Sequence, residues 1–125
     1  MFTRVKHSFP KSEKLKSSKT IQRLFAEGTA YKKYPIKVLV VPVATAMTHQ
    51  VAFAVPKRNF KLAVDRNRVK RKLREAYRLQ KHGLDTNKEV KFALIFLYIG
   101  KDIPTYEKVE TAVGFLLKKV NEASY

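Results

Sequence analysis

The chain has 125 residues, of which 45% are hydrophobic, and its formal net charge is +17 at pH 7 with a pI near 10.2. This length predicts a single domain, residues 1–125, and the charge exceeds what solubility requires. A polyanionic partner is therefore expected, with nucleic acid first and an anionic membrane surface second. The absence of cysteine excludes disulfides and thiolate chemistry and favours a reducing, cytoplasmic environment.

The positive charge is concentrated in the first two-thirds of the chain. Residues 1–37 hold ten Lys and Arg against two acidic residues, and residues 38–81 hold eleven against two. Residues 82–125 hold six of each sign, so the last third is expected to act as scaffold. No signal peptide is recognisable in residues 1–19, and the longest apolar run, Phe92 to Ile99, is too short to span a bilayer.

Residues 1–28 predict an arm followed by a short helix. Residues 1–17 are basic and lack periodicity, which is typical of an extended arm. Ser17 or Ser18 can cap a helix that ends at Gly28. Three apolar residues share one face of this helix: Ile21, Leu24 and Phe25.

Two strands are predicted next. Residues 31–34 have the composition of a basic loop with two tyrosines. The β-branched run 36–41 predicts a strand that stops at the following proline. Residues 50–55 alternate, and the small Ala52 and Ala54 on one face would let a helix or a ligand approach the sheet closely.

The segment Asp65–Arg78 organises the chain, because seven of its fourteen residues are Arg or Lys. Its apolar residues lie on one face of a helix that is predicted to begin near Leu62 and end at His82-Gly83: Val69, Leu73, Ala76 and Tyr77. Four cations form an i, i+4 row beside this stripe: Arg66, Lys70, Arg74 and Arg78. Like charges at this spacing repel, which packing of the stripe and a bound polyanion would offset. A merely solvated face usually mixes signs, so polyanion binding is favoured.

The remaining chain predicts one strand and one helix. Residues 89–99 are the most hydrophobic run and indicate a strand buried on both faces. Thr105 can cap a helix whose inward residues are Val109, Ala112, Val113, Leu116 and Val120. Gly114 within this helix predicts a close approach of another helix. The fold class is therefore α+β, an α-β sandwich in the order α-β-β-(β)-α-β-α.

Catalytic chemistry is hard to find in this chain. His7, His49 and His82 have no partner at metal-ligand spacing, and no glycine-rich phosphate loop is present. The acidic residues of the basic two-thirds are widely separated, whereas a two-metal nuclease needs clustered carboxylates. The sequence therefore predicts a binding protein that holds no metal ion by itself.

The central segment resembles the RNR motif of the protein component of bacterial ribonuclease P. The matching residues are Phe53–Arg58 and Ala63–Tyr77, which include the string Arg-Asn-Arg-x-Lys-Arg-x-x-Arg. Residues 15–28 resemble the first helix of that family, and residues 105–107 resemble the start of its last helix. The likeness covers roughly residues 9 to 120.

This resemblance implies a protein that joins a catalytic RNA, with the complex removing the 5′ leader of precursor tRNA. The RNA would carry the active site and hold Mg²⁺, and neither a membrane nor a small-molecule substrate is implied. The implied fold is an α-β sandwich with a left-handed βαβ crossover, an exception to the usual hand. The implied RNA-binding residues are Lys57, Arg58, Arg66, Asn67, Arg68, Lys70, Arg71, Lys72, Arg74 and Arg78.

A cleft for the leader is also implied, and here the sequence departs from the family pattern. The implied cleft residues are Ile21, Phe25, Leu39, Lys70 and Arg74. Ile21 and Leu39 occupy positions where the family commonly has aromatics, so Tyr31 or Tyr34 could supply stacking instead. Core packing is an open alternative for Phe25. The loop 59–62 has one residue more than the family pattern.

Two other functions remain open at the level of sequence. One is a ribosomal or general RNA-binding protein with a similar sandwich and no role in processing. The other is a membrane-surface binder, which is disfavoured because the apolar stripe is too narrow for both insertion and core packing.

Overall fold

The computed structural model describes residues 14–43, 49–80 and 91–122. Seven elements follow one another along the chain: α1 (Ser18–Glu27), β1 (Thr29–Lys33), β2 (Ile36–Val43), β3 (Gln50–Ala54), α2 (Ala63–Gln80), β4 (Lys91–Tyr98) and α3 (Tyr106–Glu122). The predicted α+β class and the predicted order of elements are confirmed. The predicted end of α2 at His82-Gly83 and most of the predicted arm lie outside the described residues.

The four strands form one sheet in the order β1-β2-β4-β3. β2 pairs antiparallel with both β1 and β4, whereas β3 and β4 are parallel. A parallel pair cannot be joined by a tight turn, so α2 provides the crossover between β3 and β4. The basic helix is thus built into a βαβ unit at one side of the sheet.

Both faces of the sheet are covered, because successive side chains of a strand point to opposite faces. Val38, Leu94 and Phe96 belong to the core beneath α2 and α3. Leu39 and Ile95 belong to a smaller core on the other face, under α1. β4 lies between these two layers, which confirms the predicted strand that is buried on both faces.

The expected loop at residues 31–34 is wrong, because Thr29–Lys33 is a strand. It forms a hairpin with β2 through the turn at Tyr34-Pro35, with Thr29 opposite Val40 and Lys33 opposite Ile36. β1 is an edge strand, where lysines are tolerated because they project into solvent and discourage pairing with other chains. The lysines of this segment therefore led to the prediction of a loop where the fold has a strand.

The expectation that β2 stops before Pro42 is also wrong. β2 continues to Val43, with Pro42 opposite Phe92 of β4. The Pro42 carbonyl accepts a hydrogen bond from Arg23 Nη1 (3.2 Å), so this residue turns its polar backbone away from β4. The pairing of β1 with β2 extends only as far as Val40, so no strand lies beside Pro42 on that side. The N–H that proline lacks would therefore have had no partner in the sheet.

The helix ends follow the predicted signals. The Ser17 hydroxyl accepts from the Thr20 N–H (3.3 Å), and Thr105 Oγ1 accepts from the Lys108 N–H (3.4 Å). Gly28 ends α1 by donating its N–H to the Leu24 carbonyl (2.9 Å), but its φ of −65° is extended and not left-handed.

The close helix approach predicted at Gly114 is confirmed. A Cβ atom at this position would lie 2.5 Å from Gln80 Oε1 of α2. Gln80 Nε2 donates to the Glu110 carbonyl of α3 (3.0 Å), so the space above Gly114 is used by a side chain that joins the two helices.

His49 predicts a pH dependence of stability. It is buried, its Nδ1 accepts from the Phe92 N–H (3.0 Å), and its ring stacks on Phe92. Burial, with a contribution from Lys91, lowers the pKa of His49 from 6.5 to about 4. Because the folded-state pKa is depressed, neutral His49 contributes its full stabilisation of the fold above the unfolded pKa of 6.5. This contribution is lost as the pH falls toward 4, since the unfolded chain then binds a proton more readily than the folded one.

We therefore expect the urea-derived free energy of unfolding to fall between pH 6.5 and 4. His49→Gln keeps a hydrogen-bond acceptor for the Phe92 N–H but does not titrate, so its stability should fall less over this range. Equal falls in the two proteins would contradict the assignment.

Candidate nucleic-acid interface

The apolar stripe of α2 holds the basic helix on the sheet. Its four predicted residues, Val69, Leu73, Ala76 and Tyr77, are all buried. Tyr77 packs against Phe53 of β3 and Phe96 of β4, with ring centroids 6.1 and 6.0 Å away. This packing offsets the repulsion among the cations at i, i+4 spacing, as the sequence predicted.

Six of the ten residues predicted to bind RNA are exposed: Lys57, Arg58, Asn67, Arg68, Arg71 and Arg74. Asn67 does not pack into the core. Because asparagine is a poor helix former, its presence in α2 is better explained by a role at the surface. Arg68, Arg71 and Arg74 form no ion pair with any residue that the structure describes. Their guanidinium groups are therefore available to a polyanion along the outer face of α2.

Three other cations of α2 are held by the protein itself. Arg66 Nη1 donates to the carbonyls of Phe60 (2.8 Å) and Lys61 (3.0 Å). Lys72 Nζ donates to the Pro104 carbonyl (2.6 Å), which ties the segment before α3 to α2. The sequence contains no signal for these bonds, because their acceptors are main-chain atoms of loops.

Arg78 is the third of these cations. Its Nε donates to Glu75 Oε2 (3.0 Å), and its Nη2 contacts the other carboxylate oxygen. The hydrogen bond from Arg78 holds the pKa of Glu75 below its ordinary value. The row of four cations that looked uniform in the sequence thus contains both protein-bound and exposed groups.

Lys70 and Arg74 lie on the flank of α2 that faces away from α3. The opposite flank carries Lys72, which contacts the loop before α3. On a helical wheel, Lys70 and Arg74 follow Tyr77, whose ring meets Phe53 of the edge strand β3. These two cations therefore lie toward the β3 edge of the sheet.

The structure does not place all five predicted cleft residues on one surface. Ile21, Phe25 and Leu39 belong to the face that carries α1, whereas α2 packs on the opposite face. Lys70 and Arg74 were predicted to line the same cleft, but α2 carries them on the opposite side of the sheet from α1, toward the β3 edge. The period of two in β3 explains the difference, because Phe53 points to α2 while its neighbours point to the α1 side.

The α1 face nevertheless offers a shallow apolar surface. Ala52, Ala54 and Leu97 are only partly buried there and border the smaller core. Leu39 is buried, so it forms the floor and not an accessible contact. The small residues of β3, which the sequence left open to a helix or a ligand, lie beside α1, which packs over β2 and β4.

Phe25 is 59% exposed, so its core alternative is wrong. It lies next to Ile21 on one flank of α1, and Arg23 on the opposite flank bonds to Glu27 and to the Pro42 carbonyl. Tyr31 packs against the core beneath α2 and α3, on the other face of the sheet. Tyr34, 69% exposed at the hairpin turn, lines a pocket of about 760 Å³ with residues of α3 and the loop before it, away from the α1 face.

Two further properties of the described segments bear on function. Among the residues of these segments, no three His, Asp or Glu side chains come close enough together to hold a metal ion. None of their helices combines the length and the apolar character needed to cross a membrane.

Known proteins resemble this chain over nearly its full length. A family model described as Ribonuclease P matches residues 9–121. The "Ribonuclease P protein component" of Porphyromonas gingivalis strain W83 is 36% identical over 111 residues, which cover 82% of this chain and 79% of the relative. The protein of the same name from Chlorobium phaeobacteroides is 31% identical over 129 residues, which cover 91% of this chain and 88% of the relative.

Solved structures agree in fold. The RNase P protein of Staphylococcus aureus superposes with a TM-score of 0.73 at 18% identity, covering 86% of this chain and 94% of that one. The protein from Thermotoga maritima gives a TM-score of 0.71 at 20% identity, covering 86% and 96%. The comparisons give no support to a ribosomal or general RNA-binding protein. The chain belongs to the ribonuclease P protein family and is the protein subunit of a ribonucleoprotein endoribonuclease of tRNA processing.

Proposed function

We propose that this protein binds the catalytic RNA of ribonuclease P through the outer face of α2 and the 5′ leader of precursor tRNA through the surface beside α1. The observation that carries the proposal is the set of exposed residues on the RNR helix: Asn67, Arg68, Arg71 and Arg74. Exposed guanidinium groups at successive turns suit the phosphates of a folded RNA, which they can bind in a bidentate manner.

Binding through this face would be electrostatic and largely independent of sequence. Phosphate contacts orient a protein on its nucleic acid, whereas reading of bases needs contacts to their edges. The outer face of α2 carries cations in excess and thus favours positioning over sequence readout. This fits a subunit whose RNA partner performs the cleavage.

The leader is proposed to lie against Phe25, Ile21 and the half-buried Ala52 and Ala54. A single strand combines phosphates with flat bases, and an exposed aromatic ring offers a stacking partner for any base. Small side chains on β3 would let such a strand approach the sheet. Lys70 and Arg74, at the β3 edge, would then bind the phosphates where the strand passes around the sheet.

Mg²⁺ would be held mainly by the RNA, where it would supply charge stabilisation for phosphodiester hydrolysis. The proposed contribution of this chain is to bind and orient the two RNAs. We infer a cytoplasmic location from the proposed substrate, precursor tRNA.

The experiment that tests this function is reconstitution with a bacterial ribonuclease P RNA and a precursor tRNA at low Mg²⁺ concentration. We expect the protein to accelerate release of the leader, because its cations replace part of the screening that Mg²⁺ provides between the two RNAs. Absence of stimulation at every protein concentration would contradict the proposed function.

A further inference from the structure

The loop before α2 and the first turn of this helix carry apolar side chains that the fold leaves exposed. Within the pre-helix segment, defined as residues 57–64, Leu62 is 65% exposed and Val64 is 64% exposed. A single exposed aliphatic residue is ordinary, but two within three residues beside the cationic face are less so. Val64 lies four and seven residues before Arg68 and Arg71, so it shares their face of the helix.

The fold fixes this segment in place. Phe60 is buried and packs against Tyr98, with ring centroids 5.9 Å apart. Asn59 Nδ2 donates to the Gly100 carbonyl (3.1 Å), and Arg66 Nη1 binds the carbonyls of Phe60 and Lys61. The exposed side chains therefore project from a rigid support, which lowers the ordering cost of any contact that they make.

The charge around the two aliphatic residues selects an anionic partner. Lys57, Arg58 and Lys61 are exposed, and residues 57–64 contain no acidic side chain. RNA offers phosphates and apolar base faces side by side. A regular A-form helix hides its base faces by stacking, so the fitting partner is a loop, a bulge or a helix end where a base face is open.

We infer that the pre-helix segment is a base-face contact to the ribonuclease P RNA. Leu62 and Val64 pack on an unstacked base, and Lys57, Arg58 and Lys61 bind the flanking phosphates. Arg66 is a positioning residue that holds the segment and does not itself bind a phosphate. This inference rests on the proposed function and adds the kind of RNA feature that the protein recognises.

The first test replaces the two aliphatic side chains in Leu62→Ser/Val64→Ser. We expect the full-length protein to bind the ribonuclease P RNA about tenfold more weakly, because apolar area is no longer removed from water. The slope of log K against log salt should not change, since apolar contacts release no counterions. The melting temperature should also stay the same, because both side chains are exposed.

The matched control is Ile103→Ser/Phe115→Ser, which changes two other exposed apolar residues, 37% and 40% exposed, neither of which lies on α2. Wild-type affinity in the Leu62→Ser/Val64→Ser variant, or an equal loss in the control, would overturn the inference. Sedimentation of the protein alone tests the other occupant of such a patch. Self-association that the variant abolishes while binding RNA normally would identify a protein interface and overturn it as well.

The second test, Arg66→Ala, removes the hydrogen bonds from Arg66 to the carbonyls of Phe60 and Lys61. Lower affinity with an unchanged salt slope is expected, and Arg66→Lys should restore part of the affinity because an ammonium can still donate to the two carbonyls. A slope that falls by about one contact, 0.7 to 0.9, would show that Arg66 binds a phosphate and would overturn its positioning role.

The two levels of the hypothesis can be separated. If the wild-type protein does not bind the RNA, or if Arg68→Ala/Arg71→Ala binds it normally, the proposed function fails. If Arg68→Ala/Arg71→Ala binds weakly while Leu62→Ser/Val64→Ser binds normally, the base-face contact alone fails.

Discussion

Replacing Arg68 and Arg71 together by alanine should weaken binding of the ribonuclease P RNA by about 10- to 100-fold, the largest effect expected from two exposed residues. Each guanidinium that neutralises a phosphate contributes about 0.7 to 0.9 to the salt slope, so the slope should decrease by about 1.4 to 1.8. Filter binding or fluorescence titration over a range of salt concentrations measures both quantities.

The control for general electrostatics is Lys118→Ala/Lys119→Ala. It removes the same net charge from exposed positions on α3, and should leave the slope nearly unchanged. Thermal stability should not fall in the Arg68→Ala/Arg71→Ala variant, because surface substitutions usually change the free energy of unfolding by less than about 0.5 kcal/mol. An unchanged slope in this variant would place the RNA-binding face elsewhere on the molecule.

Phe25→Ala should reduce discrimination between precursor tRNA and mature tRNA by about 1–3 kcal/mol while leaving affinity for the catalytic RNA intact. The reason is that an exposed ring on α1 can stack on a base of the leader, which mature tRNA lacks. Lys70→Ala should act in the same direction through loss of a phosphate contact. Competition between the two tRNAs for the reconstituted complex measures the discrimination.

Because Phe25 is exposed, its replacement should affect discrimination without a large loss of stability. A core phenylalanine would cost about 3–5 kcal/mol on truncation, whereas a side chain that is 59% exposed should cost far less. Phe115→Ala is the matched control, because this phenylalanine is 40% exposed but lies on α3, across the sheet from α1. Equal loss of discrimination in both variants, or none in Phe25→Ala, would remove Phe25 from the leader surface.

Most secondary structure followed from local patterns in the sequence. The helical spacing of Val69, Leu73, Ala76 and Tyr77 identified the buried side of α2, and all four are buried. The inward residues of α3 and the two-sided burial of β4 were predicted in the same way. Such patterns are readable because the periods of helices and strands are properties of the backbone, whatever the rest of the fold.

Membership of the family was also readable from the sequence, because the RNR string combines many cations at fixed spacing with an apolar stripe. This string could not distinguish its cations from one another. Arg66 and Arg68 are the same residue type within one motif, yet only Arg66 donates hydrogen bonds to the carbonyls of Phe60 and Lys61. The difference depends on the backbone path of the loop just before α2, which the helical period of the string does not specify.

Contacts between distant segments decided everything else. β1 is a strand because Thr29–Lys33 pairs with β2, a stabilisation that its own basic composition does not reveal. Leu39 was predicted as a cleft residue but is buried because α1 covers it, whereas Phe25 is left exposed at the flank of α1. The sequence by itself determined the elements, the family and the cationic helix. Only the tertiary structure decided which side chains face RNA, because exposure is set by the packing of helices on a sheet.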